Sequence, residues 1–103
     1  MALDMKRIQV ENSKAILKPH ELVASSIPEW KVKMKEVLQT GVNEIVFDLV
    51  DTDIVDSAGI GLFIQTYNSL SKTKGMITII NASATLKDLF RSMQLDKRFN
   101  IIL

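Results

Sequence analysis

The chain has 103 residues, 47% hydrophobic and 24% charged, a balance that suits one small globular domain and excludes a disordered one. Thirteen Lys and Arg against twelve Asp and Glu leave a net charge of +1, which offers no electrostatic footprint for nucleic acid or an anionic membrane. With no cysteine and one histidine, His20, disulfides, thiolate metal sites and a histidine-built zinc cluster are excluded, and no segment is apolar for long enough to span a bilayer.

The opening MALDMKRIQV lacks the apolar run of a signal peptide, so a cytoplasmic protein is expected. KRIQVENSKAILK then reads as two short strands, around 6–10 and 14–18, turned by Asn12-Ser13, and Pro19 ends the second. In SSIPEWKVKMKEVLQTG, Ser26 and Glu29 have the spacing of a capping box, and Pro28 sits in the first turn, where its missing N–H is harmless. Ile27, Trp30, Met34, Val37 and Leu38 recur at helical spacing, with Lys31, Lys33, Lys35 and Glu36 between them, and Gly41 suits the stop.

EIVFDLV is a nearly continuous apolar run, as in a strand buried on both faces. VDTDIVD leaves it as an acidic loop, and a helix is predicted from about Ser57 to Ser71 with Leu62, Phe63, Thr66, Tyr67 and Leu70 inward. After Gly75, MITIIN is a second buried strand. Strand, helix and strand joined by short connections predict a right-handed βαβ unit with parallel strands. Ser83 caps a third helix bearing Leu86, Leu89, Phe90 and Met93, and RFNIIL ends the chain as a short strand. The fold class is α/β: one domain over 1–103, a mixed β-sheet covered by amphipathic helices.

The segment that asks for a function is Asp56-Ser57-Ala58-Gly59-Ile60-Gly61. As structure alone, Ser57 is a helix N-cap, and Gly59 and Gly61 let the helix start pack close to a strand. The segment lacks the Lys-Ser/Thr of a phosphate-binding P-loop. It lacks the third glycine of a dinucleotide fingerprint. A nucleophile elbow needs glycine two before and two after the serine, and Val55 occupies the first of these. A hydrolase triad would have to recruit His20 from the Pro19 corner. Asp48, Asp51, Asp53 and Asp56 at one strand end could hold magnesium, but read more simply as a solvated acidic rim. No catalytic residue, metal or cofactor is therefore expected. What remains is an exposed hydroxyl at a helix N-terminus, where free amides and the helix dipole favour an anionic group, such as a phosphate on Ser57.

IVFDLVDTDIVDSAGIGLFI resembles the core of the STAS domain of anti-sigma-factor antagonists: a buried strand, a loop ending Asp-Ser-(Ser/Thr)-Gly-(Leu/Ile)-Gly, then an amphipathic helix. GMITIINASATLKDLFRSMQLDKRFNII is similar to the family's following strand, small-residue turn and helix, so the resemblance spans nearly the whole chain. It implies that Ser57 is the phosphoacceptor of a serine kinase that is also the anti-sigma factor, an ATPase of the histidine-kinase-like type. A PP2C-type phosphatase would reset it, and no enzymatic activity is implied. Chemistry gated at Ser57 requires the kinase to cover the surface around it, expected at Asp53, Asp56, Ser57, Ala58, Gly59, Ile60 and Gly61. The free protein is expected to be a monomer, without nucleic-acid or membrane partners.

Two features depart from the family pattern. Ala58 replaces the usual second hydroxyl residue, and Lys18-Pro19-His20-Glu21-Leu22 replaces the usual Gly-Glu/Arg-Leu-Asp. Two other functions stay open: an unphosphorylated STAS adaptor subunit of a lipid or anion transport complex, and a small-molecule or nucleotide sensor using a pocket by the acidic loop.

Overall fold

The computed structural model of the chain describes residues 7–102. The Lys6 end of the expected first strand, Leu103 at the end of the last, and most of the segment read for a signal peptide lie outside the described residues.

Asn12 and Ser13 take left-handed backbone angles, φ 48° and 66°, and close a tight hairpin between β1 (Ile8–Glu11) and β2 (Lys14–Leu17). Short polar side chains tolerate this region, and the twist of such a turn matches that of the paired strands. The chain then runs through β3 (Glu21–Leu22), α1 (Ile27–Gln39), β4 (Glu44–Asp48), β5 (Ile54–Val55), α2 (Ser57–Ser71), β6 (Met76–Ile80), α3 (Ala84–Ser92), a 3-10 turn (Leu95–Lys97) and β7 (Asn100–Ile101). The main sheet has the order β1-β2-β4-β6-β7, with β1 antiparallel to β2 and every other pair parallel. The α/β fold with a mixed sheet is as the sequence predicts.

Each crossover, β2–α1–β4, β4–α2–β6 and β6–α3–β7, steps the same way along the sheet. Right-handed crossovers of that kind put all three helices on one face, and the molecule is accordingly thin, 33 × 32 × 20 Å. Between the layers, Ala15, Leu17, Ile45, Phe47, Ile77 and Ile79 meet Trp30, Met34, Leu62, Phe63, Leu70, Leu86 and Phe90. Phe63, fully buried, is the hub, with its ring edge-to-face against Phe47 at 4.7 Å, Phe90 at 5.5 Å and Phe99 at 6.1 Å. All five positions predicted inward on α2 are buried or half-buried, the polar Thr66 included.

The structure corrects the sequence reading in four places. Ser26 precedes α1 but forms no side-chain cap, because residues 23–26 already turn helically and Ser26 has φ −97°, ψ −18°. Capping needs an extended residue, so the Ser26 hydroxyl instead accepts the Val23 N–H at 3.1 Å. Ser57 is not the cap of α2 either; Asp56 is, in extended backbone. Met93 lies beyond the end of α3 and is 45% exposed. Finally, β3 and β5 form a small second parallel sheet, where only an acidic loop was predicted.

Candidate functional site

Ser57 opens α2 just past the small sheet, and its side chain is exposed. Its hydroxyl makes no hydrogen bond with the described residues, whereas the neighbouring Asp56 is fully engaged. Asp56 Oδ1 accepts the N–H groups of Ala58 at 2.8 Å and Gly59 at 3.1 Å, while Oδ2 accepts the N–H of Ala24 at 3.0 Å. One carboxylate thus caps the helix and ties it to the chain entering α1. A corollary alters the sequence reading: the helix-end amides of Ala58 and Gly59, expected to be free for an anionic group on Ser57, are already taken.

The divergent Lys18–Leu22 segment is fastened to the same loop rung by rung. The Thr52 hydroxyl donates to Pro19 O, Asp53 N–H to His20 O at 3.1 Å, and Asp56 N–H to Leu22 O at 3.1 Å. His20 therefore contributes a backbone carbonyl here, while its side chain stands exposed. Nothing in the local pattern of either segment foretells this pairing, since its partners are more than thirty residues apart in sequence.

The seven residues expected to meet a partner divide into two groups. Asp53, Ser57 and Gly61 are exposed or half-exposed, with Asp56 and Ala58 partly so. Gly59 and Ile60 are buried and cannot offer a contact surface. A Cβ on Gly59 would stand 2.3 Å from Leu22 O, whereas one on Gly61 would meet nothing within 4 Å. The close approach expected of both glycines thus belongs to Gly59 alone. Ala58 leans on the core, so the position where the resemblance leads one to expect a second hydroxyl is half-buried here. In the loop leading to Ser57 the structure leaves Ile54 and Val50 apolar and exposed, 55% and 56%. The apolar Ile54 between Asp53 and Asp56 was the available sequence signal for the first.

The four aspartates are dispersed. Asp48 accepts from Asn81 and from the Val50 N–H, and Asp51 pairs with Arg7. Among the described residues no group of three His, Asp or Glu side chains stands together as metal ligands would. A hollow of about 570 Å³ opens beside the loop, lined by Thr52, Asp53, Asn81, Ser83 and Lys87 among others. No described helix is long and apolar enough to cross a membrane.

The Ala24 N–H above all holds Asp56 below the usual carboxylate range; partial burial opposes it, and the Gly59 and Ala58 amides add to it. The Arg7 hydrogen bond does the same for Asp51. A depressed folded-state pKa means that the unfolded chain binds protons first. The contribution of Asp56 is therefore complete above about pH 4, the unfolded value, and is lost as pH falls through its folded value. Asp56→Asn should be less stable than the parent at pH 7, and its denaturant midpoint should fall less steeply as pH drops below about 4. Parallel pH profiles for the two proteins would show that Asp56 is not linked to folding.

Comparison with known proteins points one way. The family model of the STAS domain matches residues 8–103. No curated protein matches the sequence at a significant level. Several solved structures share the fold. A Thermotoga maritima protein assigned as an anti-sigma factor antagonist superposes with TM-score 0.83 at 20% identity, over 91% of this chain and 82% of that one. The unphosphorylated form of the anti-sigma factor antagonist SpoIIAA gives 0.77 at 17% identity, over 93% and 86%. The phosphorylated form of the Bacillus protein gives 0.72 at 20%, over 93% and 91%. At these identities the likeness is one of fold.

Proposed function

Since this chain belongs to the STAS domain family, we propose that it is a phosphorylation-gated binding module, an anti-sigma-factor antagonist that engages a serine kinase while Ser57 is unmodified. The observation that carries the reading is the setting of Ser57: an exposed, uncommitted hydroxyl beside a helix cap already made by Asp56. A hydroxyl needed for the cap could not be modified without loosening the helix; this one can. The kinase is of the histidine-kinase-like ATPase type and doubles as the anti-sigma factor, and a PP2C-type phosphatase removes the phosphate. The protein itself performs no catalysis and works in the cytoplasm, with residues 1–103 as one STAS domain.

The docking surface consists of Asp53, Ser57, Ala58 and Gly61 with the exposed Ile54 and Val50, while Gly59 and Ile60 shape it from beneath. Transient interfaces of this kind bury roughly 1,200–2,000 Å² in total. The exposed Ile54 between Asp53 and Asp56 suits a partner that offers an apolar contact beside a basic one.

The test is direct. Incubated with its kinase and ATP, the protein should gain one phosphate, mapped to Ser57 by mass spectrometry, and Ser57→Ala should gain none. Undiminished labelling of Ser57→Ala would refute the assignment. A chain that is never labelled, yet copurifies with transport-complex subunits, would be the unphosphorylated adaptor instead.

A further inference from the structure

Asp53 and Ile54, the exposed tip of the docking surface, stand on very little secondary structure. Their support is β5, a strand of two residues paired with the two residues of β3. A pair of strands that short does not hold itself together in water. Side chains close it at both ends. Next to Ser57, Asp56 Oδ2 accepts the Ala24 N–H at 3.0 Å. At the other end the Thr52 hydroxyl donates to Pro19 O. Between these two pins run the backbone bonds from Asp53 N–H to His20 O and from Asp56 N–H to Leu22 O, both 3.1 Å.

The Thr52 pin is chemically particular. Proline has no N–H, so Pro19 can join a pairing only through its carbonyl. Pro19 is buried, and Thr52 is 6% exposed with its hydroxyl engaged. Without that hydroxyl the Pro19 carbonyl is a buried acceptor that has lost its donor, a situation that favours any conformation in which water reaches it. The conformation at hand is a loop whose Thr52–Ile54 end has left β3. The other end stays fastened, because Asp56 caps α2 and holds Ala24 at once. The effect of the pin therefore falls on Asp53 and Ile54, two exposed groups, from a buried position that offers a partner almost no surface of its own.

From this arrangement we infer that Thr52 is a positioning residue: its hydroxyl sets Asp53 and Ile54 in the arrangement that the kinase binds, without joining the contact. What binds there rests on the proposed function; the brace itself does not. A loop already in its bound form spares the partner the cost of ordering it. When the pin is lost, only the molecules that still carry the loop in place bind, and the apparent affinity falls by that fraction. A loop open about two-thirds of the time raises KM for the protein as a kinase substrate about threefold. After binding, the loop is in place and Ser57 is presented as before, so kcat does not change.

Three variants test this. Thr52→Val removes the hydroxyl and keeps the shape, and Thr52→Ser keeps the hydroxyl. Thr40→Val is the control: the Thr40 hydroxyl also donates to a backbone carbonyl, Val37 O at 2.6 Å, but it precedes β4 whereas Thr52 follows it. Thermal melts first fix a temperature at which all four proteins are folded. Amide exchange followed by NMR needs no kinase. In Thr52→Val the Asp53 N–H should lose nearly all its protection while the Asp56 N–H stays protected, whereas a general loosening would expose both. The serine kinase that labels Ser57 is the second probe. With Thr52→Val, KM should rise about threefold at unchanged kcat, and Thr52→Ser and Thr40→Val should match the parent in exchange, KM and kcat. A folded Thr52→Val with parental Asp53 exchange or parental KM overturns the inference. So does a fall in kcat at unchanged KM, a Thr52→Ser that does not restore the parental values, or a Thr40→Val that shifts KM as Thr52→Val does. A parent whose Ser57 is never labelled removes the proposed function and the positioning role with it, and the exchange result then reports on the brace alone.

Discussion

Gly59→Ala should melt about 8–16 °C below the parent, the equivalent of roughly 2 kcal/mol for a domain of this size. Helix propensity points the other way, since alanine in a helix interior is favoured over glycine by about 1 kcal/mol. Contact decides the sign. The new methyl would lie 2.3 Å from the carbonyl oxygen of Leu22 and 2.9 Å from Leu22 Cβ and Val55 Cγ1. That carbonyl is backbone, and it accepts the Asp56 N–H at 3.1 Å inside the β3–β5 pair, so it cannot swing aside as a side-chain tip would. The methyl must push α2 off the small sheet, loosening the loop that carries Ser57. Gly61→Ala is the matched contrast: with nothing within 4 Å of its Cβ, it should gain about 0.5–1 kcal/mol from a less flexible unfolded chain. Thermal melts of the two variants settle the matter, and a Gly59→Ala protein as stable as the parent would mean that α2 does not depend on this contact.

Ser57→Asp should weaken kinase binding at least tenfold, about 1.4 kcal/mol, while the folded state changes by no more than about 0.5 kcal/mol, as for most exposed substitutions. The two readouts separate for a physical reason. In the free protein the new carboxylate projects into water. The Ala58 and Gly59 amides are held by Asp56, so the charge gains little from the helix end, and its repulsion from Asp56 and Asp53 is screened by solvent within about 8–10 Å. A partner closing over Ile54 and Ser57 removes that solvent, and an unpaired charge buried there is strongly unfavourable. Calorimetric titration against the kinase, beside a melt of the same sample, reads both quantities. A large drop in melting temperature, with binding lost only in proportion to the unfolded fraction, would identify Ser57 as a structural residue.

Period and punctuation were enough for most of the architecture. The β-branched runs at 44–50 and 76–80, the helical spacing of Trp30, Met34 and Val37 and of Leu62, Phe63, Thr66 and Leu70, and the Asn12-Ser13 turn are local signals, and local forces shape those elements. Position within the Asp-Ser-Ala-Gly-Ile-Gly motif likewise singled out Ser57 before any coordinate. Features that depend on residues far apart in sequence were beyond such a reading. Both Ser57 and Asp56 can cap a helix by residue type; Asp56 prevails because its second oxygen also reaches Ala24, an amide brought alongside by the β3–β5 pair. Gly59 and Gly61 look equivalent in the sequence, yet only Gly59 faces the Leu22 carbonyl. Ser26 and Glu29 have capping-box spacing, but the helical turn before them removes the extended backbone that the box requires. The sequence by itself therefore determined the strands of the main sheet, the three helices, their order and the serine at issue, but not the β3–β5 pair. Tertiary structure alone decided which carboxylate holds that serine's helix and which glycine packs against the small sheet. Each of these depends on backbone hydrogen bonds and packing between segments that only the folded chain brings together.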